Sequence, residues 1–109
     1  MATPPTPLPP LCLAVTLRIR AGHEAEALEH LRNLVLHTRR EPGNLAYTVH
    51  RSLDEPRHIL IYELYRDDAA LEAHRTSTYF AAHATDGLHR LTEERRAELY
   101  AVVEWESER

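Results

Sequence analysis

"LAYTVHRSLDEPRHILIYELYRDDAALEAH", residues 45–74, holds most of the architecture in thirty residues. Two runs rich in β-branched and aromatic side chains, residues 45–53 and 58–65, flank the short turn Asp54-Glu55-Pro56-Arg57. So short a connection joins antiparallel neighbours, which makes the pair a hairpin. Asp67 or Asp68 then offers the side-chain acceptor that starts a helix over 69–75. One residue goes against the pattern. Glu63 shares strand parity with Ile59, Ile61 and Tyr65, so its carboxylate points where apolar side chains point. His74 follows Leu71 and Ala70 by three and four residues, on the apolar side of its helix. Acid and imidazole therefore aim at the space between strand and helix.

The flanking sequence extends this unit. "LCLAVTLRIR", residues 11–20, alternates Leu11, Leu13, Val15, Leu17 and Ile19 against Cys12, Ala14, Thr16, Arg18 and Arg20, which is a strand. Ala27, Leu28, Leu31, Leu34 and Val35 form the stripe of an amphipathic helix, ended by Glu41-Pro42-Gly43-Asn44. After the hairpin and its helix, Ser77 caps a further helical segment through Leu91, with a break expected at Gly87. A last strand is expected over residues 99–106. Strand, helix, strand, strand, helix, strand is the split βαβ order. It predicts an α+β, ferredoxin-like domain, with a four-stranded antiparallel sheet and the helices on one face.

Composition narrows the function classes. The chain has 109 residues, 43% hydrophobic and 28% charged, as expected of one globular domain. Its net charge of −4 argues against a nucleic-acid partner. No apolar run reaches the roughly 18 residues a membrane span needs, so no membrane partner is expected. Residues 1–10 hold five prolines and read as a disordered arm rather than a secretory signal, ahead of the domain at 11–109. A single cysteine, Cys12, allows no intrachain disulfide, which makes a reducing, cytoplasmic setting the expectation. All 13 basic residues are arginine, so no Schiff-base lysine is available.

The sheet face away from the helices is also apolar. Leu60, Tyr62 and Leu64 share it, joined by Tyr100 and Val102 from the last strand; Trp105 is expected in the core or interface. A bare face of that kind calls for cover. A second copy is the simplest cover, which predicts a two-fold homodimer through the sheet faces, a dimeric α+β barrel.

Residues 41–80 resemble the antibiotic biosynthesis monooxygenase (ABM) family of dimeric α+β barrels. The likeness rests on the Glu41-to-Asn44 turn, Tyr47, Tyr62-Glu63-Leu64-Tyr65, the Asp67/Asp68 cap, Ala70-Leu71, His74 and Tyr79-Phe80. It implies oxygenation by O₂, without a cofactor or metal, of a small aromatic substrate lying between sheet and helices. Residue by residue, the likeness is nearest to quinol monooxygenase-like members. A haem-binding branch keeps a histidine at the position of His83 but differs at Val15 and His74. A polyketide-oxidising branch shares His50 but differs at Ile61 and Tyr65.

The chemistry needs a base, donors for an oxyanion and a dry wall. His74 and His50 are the candidate bases, with Glu63 as His74's partner. Tyr47, Tyr65 and Tyr79 are candidate donors. Phe80, His83, Ile61 and Val15 complete the candidate pocket. A Glu63–His74 hydrogen bond can lock helix to strand, or it can tune a base; the sequence leaves both open. A closed space around Glu63 would favour a non-catalytic binding domain, and a cavity of a few hundred Å³ a ligand site. His23, His30 and His37, seven residues apart on the first helix, read as solvated.

Overall fold

The computed structural model describes residues 10–103. The elements are β1 (Leu11–Ile19), α1 (Glu24–Thr38), β2 (Asn44–Arg51), β3 (His58–Tyr65), α2 (Asp68–Arg75), a short α3 (Thr78–Phe80) and β4 (Thr92–Ala101). Between α3 and β4 the chain makes a π-helical turn, Ala81–Thr85, and a 3₁₀ turn, Leu88–Leu91. The sheet order is β2-β3-β1-β4, all antiparallel, which is the ferredoxin-like arrangement. The expected arm at 1–9 and Trp105 lie outside the described residues.

Alternation decides the layers. Leu13, Val15, Leu17 and Ile19 of β1, with Ile59, Ile61, Glu63 and Tyr65 of β3, are buried toward the helices. Ala27, Leu31, Leu34 and Thr38 of α1 close on them, as do Ala70, Leu71 and His74 of α2. The opposite face is open: Leu60 is 41%, Tyr62 39% and Tyr100 50% exposed. Asp67 caps α2, accepting the Ala70 N–H at 2.8 Å, and Ser77 caps α3, accepting the Phe80 N–H at 3.2 Å.

Two glycines are required by close approach. Gly43, at the start of β2, lies against α2, where a Cβ would overlap the Ala70 methyl and sit 3.3 Å from its Cα. Gly87 makes room for the His30 ring, whose nearest atoms would stand 2.6 Å from an added Cβ. The helical path breaks at Gly87, as expected.

Strand β4 corrects the sequence reading. It runs Thr92–Ala101, seven residues earlier than expected, and Val102 and Val103 lie beyond it. "TEERRAE" carries no apolar alternation, so periodicity does not reveal it. The whole strand pairs with β1, from Leu11↔Ala101 to Ile19↔Thr92, with a register shift at Arg18/Ile19. Backbone hydrogen bonding rather than side-chain burial places this edge strand.

Candidate active site

A cleft opens between the inner sheet face and the helical layer. Val15, Leu17, Tyr47 and Ile61 line its sheet side; Leu34, His74, Phe80, Ala84 and Leu88 line its helical side. Glu63 lies in it, and Arg75, His89, Arg95 and Ala97 complete the lining. The cleft encloses about 50 Å³, well short of the few hundred Å³ expected of a ligand cavity. It is therefore a narrow slot with an open end. Phe80, Ala84 and Leu88 come to it at four-residue spacing from the segment after Ser77, although that segment is only partly α-helical.

His74 stands at the inner end, 2% exposed. Its Nδ1 is 3.0 Å from Oε2 of Glu41. Its Nε2 faces Glu63, whose Oε1 is 3.7 Å away, beyond hydrogen-bond reach. Tyr65 and Phe80 pack round the imidazole, with ring centroids at 5.3 and 5.1 Å. Burial, helped by the neighbouring Arg75 charge, pushes the imidazolium down to about 4. His74 is thus neutral at physiological pH. In the tautomer that donates Nδ1–H to Glu41, the lone pair is on Nε2, on the side facing Glu63 and the slot.

Glu41 owes its place to the turn after α1. Gly43 lets that turn sit flush on α2, and Glu41 then reaches the imidazole of the same helix. Desolvation pushes its carboxyl up to about 7, and Oε1 is buried without a hydrogen-bond partner.

Glu63 has its own partner. Oε1 accepts the Tyr65 hydroxyl at 2.6 Å, inside the sheet layer. Burial raises its carboxyl to about 7, against the opposing pull of that hydrogen bond and of Arg95 and Arg75. Burial and the Glu63 charge together raise the Tyr65 phenol far above its ordinary value, so it stays a donor.

The shift at Glu63 has a measurable sign. From 4.5 to about 7 the folded chain holds a proton that the unfolded chain has released. Stability therefore falls as pH rises through that window, by about 3 kcal/mol at most. Glu63→Gln keeps an acceptor for Tyr65 and removes the ionisation. The variant is expected to melt about 5–10 °C above wild type at pH 8 and close to it at pH 5. An equal gain at both pH values, by calorimetry, would show that ionisation is not the cause.

The candidate residues separate into groups. Val15, Tyr47, Ile61, Glu63, His74 and Phe80 share the slot. Tyr65 is wholly buried, its hydroxyl bonded to Glu63, so it supports the site without facing a ligand. Tyr79 and His83 do share a face, but that face packs on α1. Tyr79 stacks on His37 at 5.0 Å, and His83 Nδ1 lies 3.1 Å from His30 Nδ1. His83 is therefore not a pocket residue, and its Nδ1 is turned to α1. The Tyr79 hydroxyl is buried without a partner. His30 and His37 are half-buried in this contact rather than solvated; His23 is exposed as expected.

His50 is on the wrong face to be a base. It pairs with Leu60 on the open side of the sheet, whereas Tyr47 and Val49 point inward opposite Glu63 and Ile61. The Glu63–His74 hydrogen bond is also corrected, since Glu41 holds the histidine. Glu41, Arg75, His89 and Arg95 were missed as site residues. Of these only Glu41 left a sequence signal, an acid directly before the Pro-Gly turn.

Comparison with known proteins agrees with this fold. The family pattern described as antibiotic biosynthesis monooxygenase matches residues 10–86. YcnE of Bacillus subtilis (strain 168) is 25% identical over 77 residues, covering 71% of this chain and 81% of its own. The crystal structure of PA3566 from Pseudomonas aeruginosa superposes with a TM-score of 0.83 at 28% identity, covering 92% of this chain and 100% of that one. A crystal structure described as an antibiotic biosynthesis monooxygenase superposes with a TM-score of 0.81 at 25% identity, covering 86% of this chain and 99% of that one. With the pattern spanning well over half its length, and the slot lying between sheet and helices, the chain belongs to the antibiotic biosynthesis monooxygenase family.

Proposed function

We propose that the protein is a cofactor-independent monooxygenase that oxidises a quinol or polycyclic phenol with O₂. One observation carries the reading. A neutral, buried histidine has Glu41 at its Nδ1 and turns its Nε2 edge toward a slot lined with apolar and aromatic groups. That is the equipment for taking a phenolic proton. Seating a flat ring requires the Phe80 side of the slot to move outward, because the volume it encloses is about 50 Å³.

His74 removes the hydroxyl proton, and the Tyr47 phenol, lining the same slot, holds the oxyanion. Its own pKa lies well above the ordinary value, chiefly through burial, so it remains a donor. Glu63, neutral below about 7, adds little repulsion to that anion. Val15, Ile61, Phe80 and Leu88 exclude water, so the electron-rich anion meets O₂ in a dry space. With a quinol the same site stops at electron transfer: two electrons and two protons pass to O₂, giving quinone and hydrogen peroxide, an oxidase outcome in which no oxygen atom is inserted. A phenol with an open para carbon takes one oxygen atom as a carbonyl and releases the other as water.

The test is oxygen uptake with a reduced naphthoquinone, corrected for autoxidation. An uptake rate that rises in proportion to protein concentration is expected. A rate equal to autoxidation across reduced naphthoquinones and naphthols removes the reading. The haem alternative has less support, because His83 turns its Nδ1 to His30 outside the slot.

The reading includes a homodimer through the open sheet face. Leu60, Tyr62 and Tyr100 lie exposed there, and a stable pair would cover about 1,200–2,000 Å². Sedimentation at micromolar concentration is expected to give a dimer, and Tyr62→Arg a monomer. A monomeric wild type would end this part of the proposal.

A further inference from the structure

The mouth of the slot carries a charge pattern that oxidation of a simple phenol does not call for. Arg75, the last residue of α2, and Arg95, on the inner face of β4 opposite Leu17, both line the opening and are both exposed. Among the described residues neither has a carboxylate within 4.0 Å. The neighbours of Arg95 on β4 are otherwise engaged. Glu93 pairs with Arg57 at 2.6 Å, Glu94 with Arg18 at 3.9 Å, and Arg96 with Glu98 at 2.5 Å. In a strand of paired charges, Arg95 alone turns inward without an acid.

His89, from the 3₁₀ turn, lines the same mouth. Burial and the adjacent Arg95 charge lower its pKa, which makes it a neutral hydrogen-bonding group there. The chain as a whole is acidic, with a net charge of −4, so an anion is not drawn to it generally. Two unpaired guanidiniums at one opening make a local exception. Opposite them, the deep end of the slot is apolar except for Tyr47, Glu63 and His74.

We propose that the cleft takes a hydroxy-aromatic acid, with its ring between Phe80 and the sheet and its carboxylate held at the mouth by Arg75 and Arg95. The guanidinium fork matches a carboxylate in two parallel hydrogen bonds, a stronger contact than any neutral group would make there. The hydroxyl of such a ligand enters first, toward His74. The proposal rests on the oxidation reading for the fate of that hydroxyl, but not for binding itself. Arg75 and Arg95 choose which phenols enter; they do not take part in electron or proton transfer.

The experiment is anaerobic titration calorimetry with two probes, 6-hydroxy-2-naphthoate and 2-naphthol, which differ only in a carboxylate at the end of the ring system remote from the hydroxyl, at low and moderate salt. Wild type is expected to bind the acid at least 10-fold more tightly, with the preference shrinking as salt rises. Arg75→Gln with Arg95→Gln is expected to bring the two affinities within about 2-fold of each other, chiefly by weakening binding of the acid. Equal affinities in wild type, a preference that survives in the double variant, or no binding of the acid at millimolar concentration would each overturn the proposal. Because turnover is not measured, a carboxylate preference without oxygen uptake would sink the oxidation reading alone.

Discussion

Replacing His74 by alanine is expected to cut protein-dependent oxygen uptake by about 10²- to 10⁴-fold, the range associated with losing a general base. That corresponds to about 3–5 kcal/mol of transition-state stabilisation. The size follows from the position of the ring. Burial lowers its pKa to about 4, which leaves the ring unprotonated at pH 7 but a weak base until the phenolate forming beside it stabilises the imidazolium. Glu41 fixes the tautomer through Nδ1, leaving Nε2 to meet the substrate. A water molecule in the vacated space is a far weaker base and is not oriented.

Glu41→Gln is expected to do less, because an amide oxygen still accepts from Nδ1 but without the negative charge that stabilises the imidazolium as it forms. Circular dichroism and melting curves separate a lost base from a lost fold. A folded His74→Ala protein within 3-fold of wild type would remove His74 from the chemistry and leave the Glu41–His74 contact as a lock between turn and helix.

Gly43→Ala is expected to destabilise the protein by about 2–3 kcal/mol, in the upper part of the range for overpacking a tight contact. In a domain of this size that lowers Tm by about 10 °C or more. The added methyl would overlap the Ala70 methyl, and the nearest alternative atom is the Ala70 backbone, which cannot rotate away. The turn must therefore lift from α2, and Glu41 lifts with it.

Ala70→Gly in the same chain opens the space again at a cost of about 1 kcal/mol for glycine inside a helix. The double variant is accordingly expected to be more stable than Gly43→Ala alone, a coupling that distant sites would not show. Simple additivity in the double-mutant cycle would mean that the turn relaxes by another route.

Much of this arrangement was legible before any coordinates. Period-two alternation set the two faces of β1 and put Ile61 and Glu63 together on one face of β3, because a side chain's face within a strand follows from parity alone. The Asp67 and Ser77 caps were readable for a similar reason, since each bonds an N–H only three residues away. His83 shows where local reasoning stops. Its helical spacing correctly joined it to Tyr79, but nothing local said that this face would meet His30 and His37 rather than the slot. His50 was misplaced for a different reason. The family likeness matched its position, but parity puts it opposite Leu60 on the outer face.

The sequence by itself determined the order of elements, the two faces of β1 and β3, and the inward direction of Glu63 and His74. These depend on side-chain periodicity and on hydrogen bonds spanning a few residues. Tertiary structure alone decided that Glu41 rather than Glu63 holds the histidine, since those two residues are 33 apart and meet only once Gly43 docks on Ala70. It also decided the extent of β4. That strand is charged at half of its positions, and it exists because β1 offers a complete row of backbone partners. The arginines of the mouth belong with it: Arg95 reads as one charge in a solvated run until pairing with β1 turns it inward.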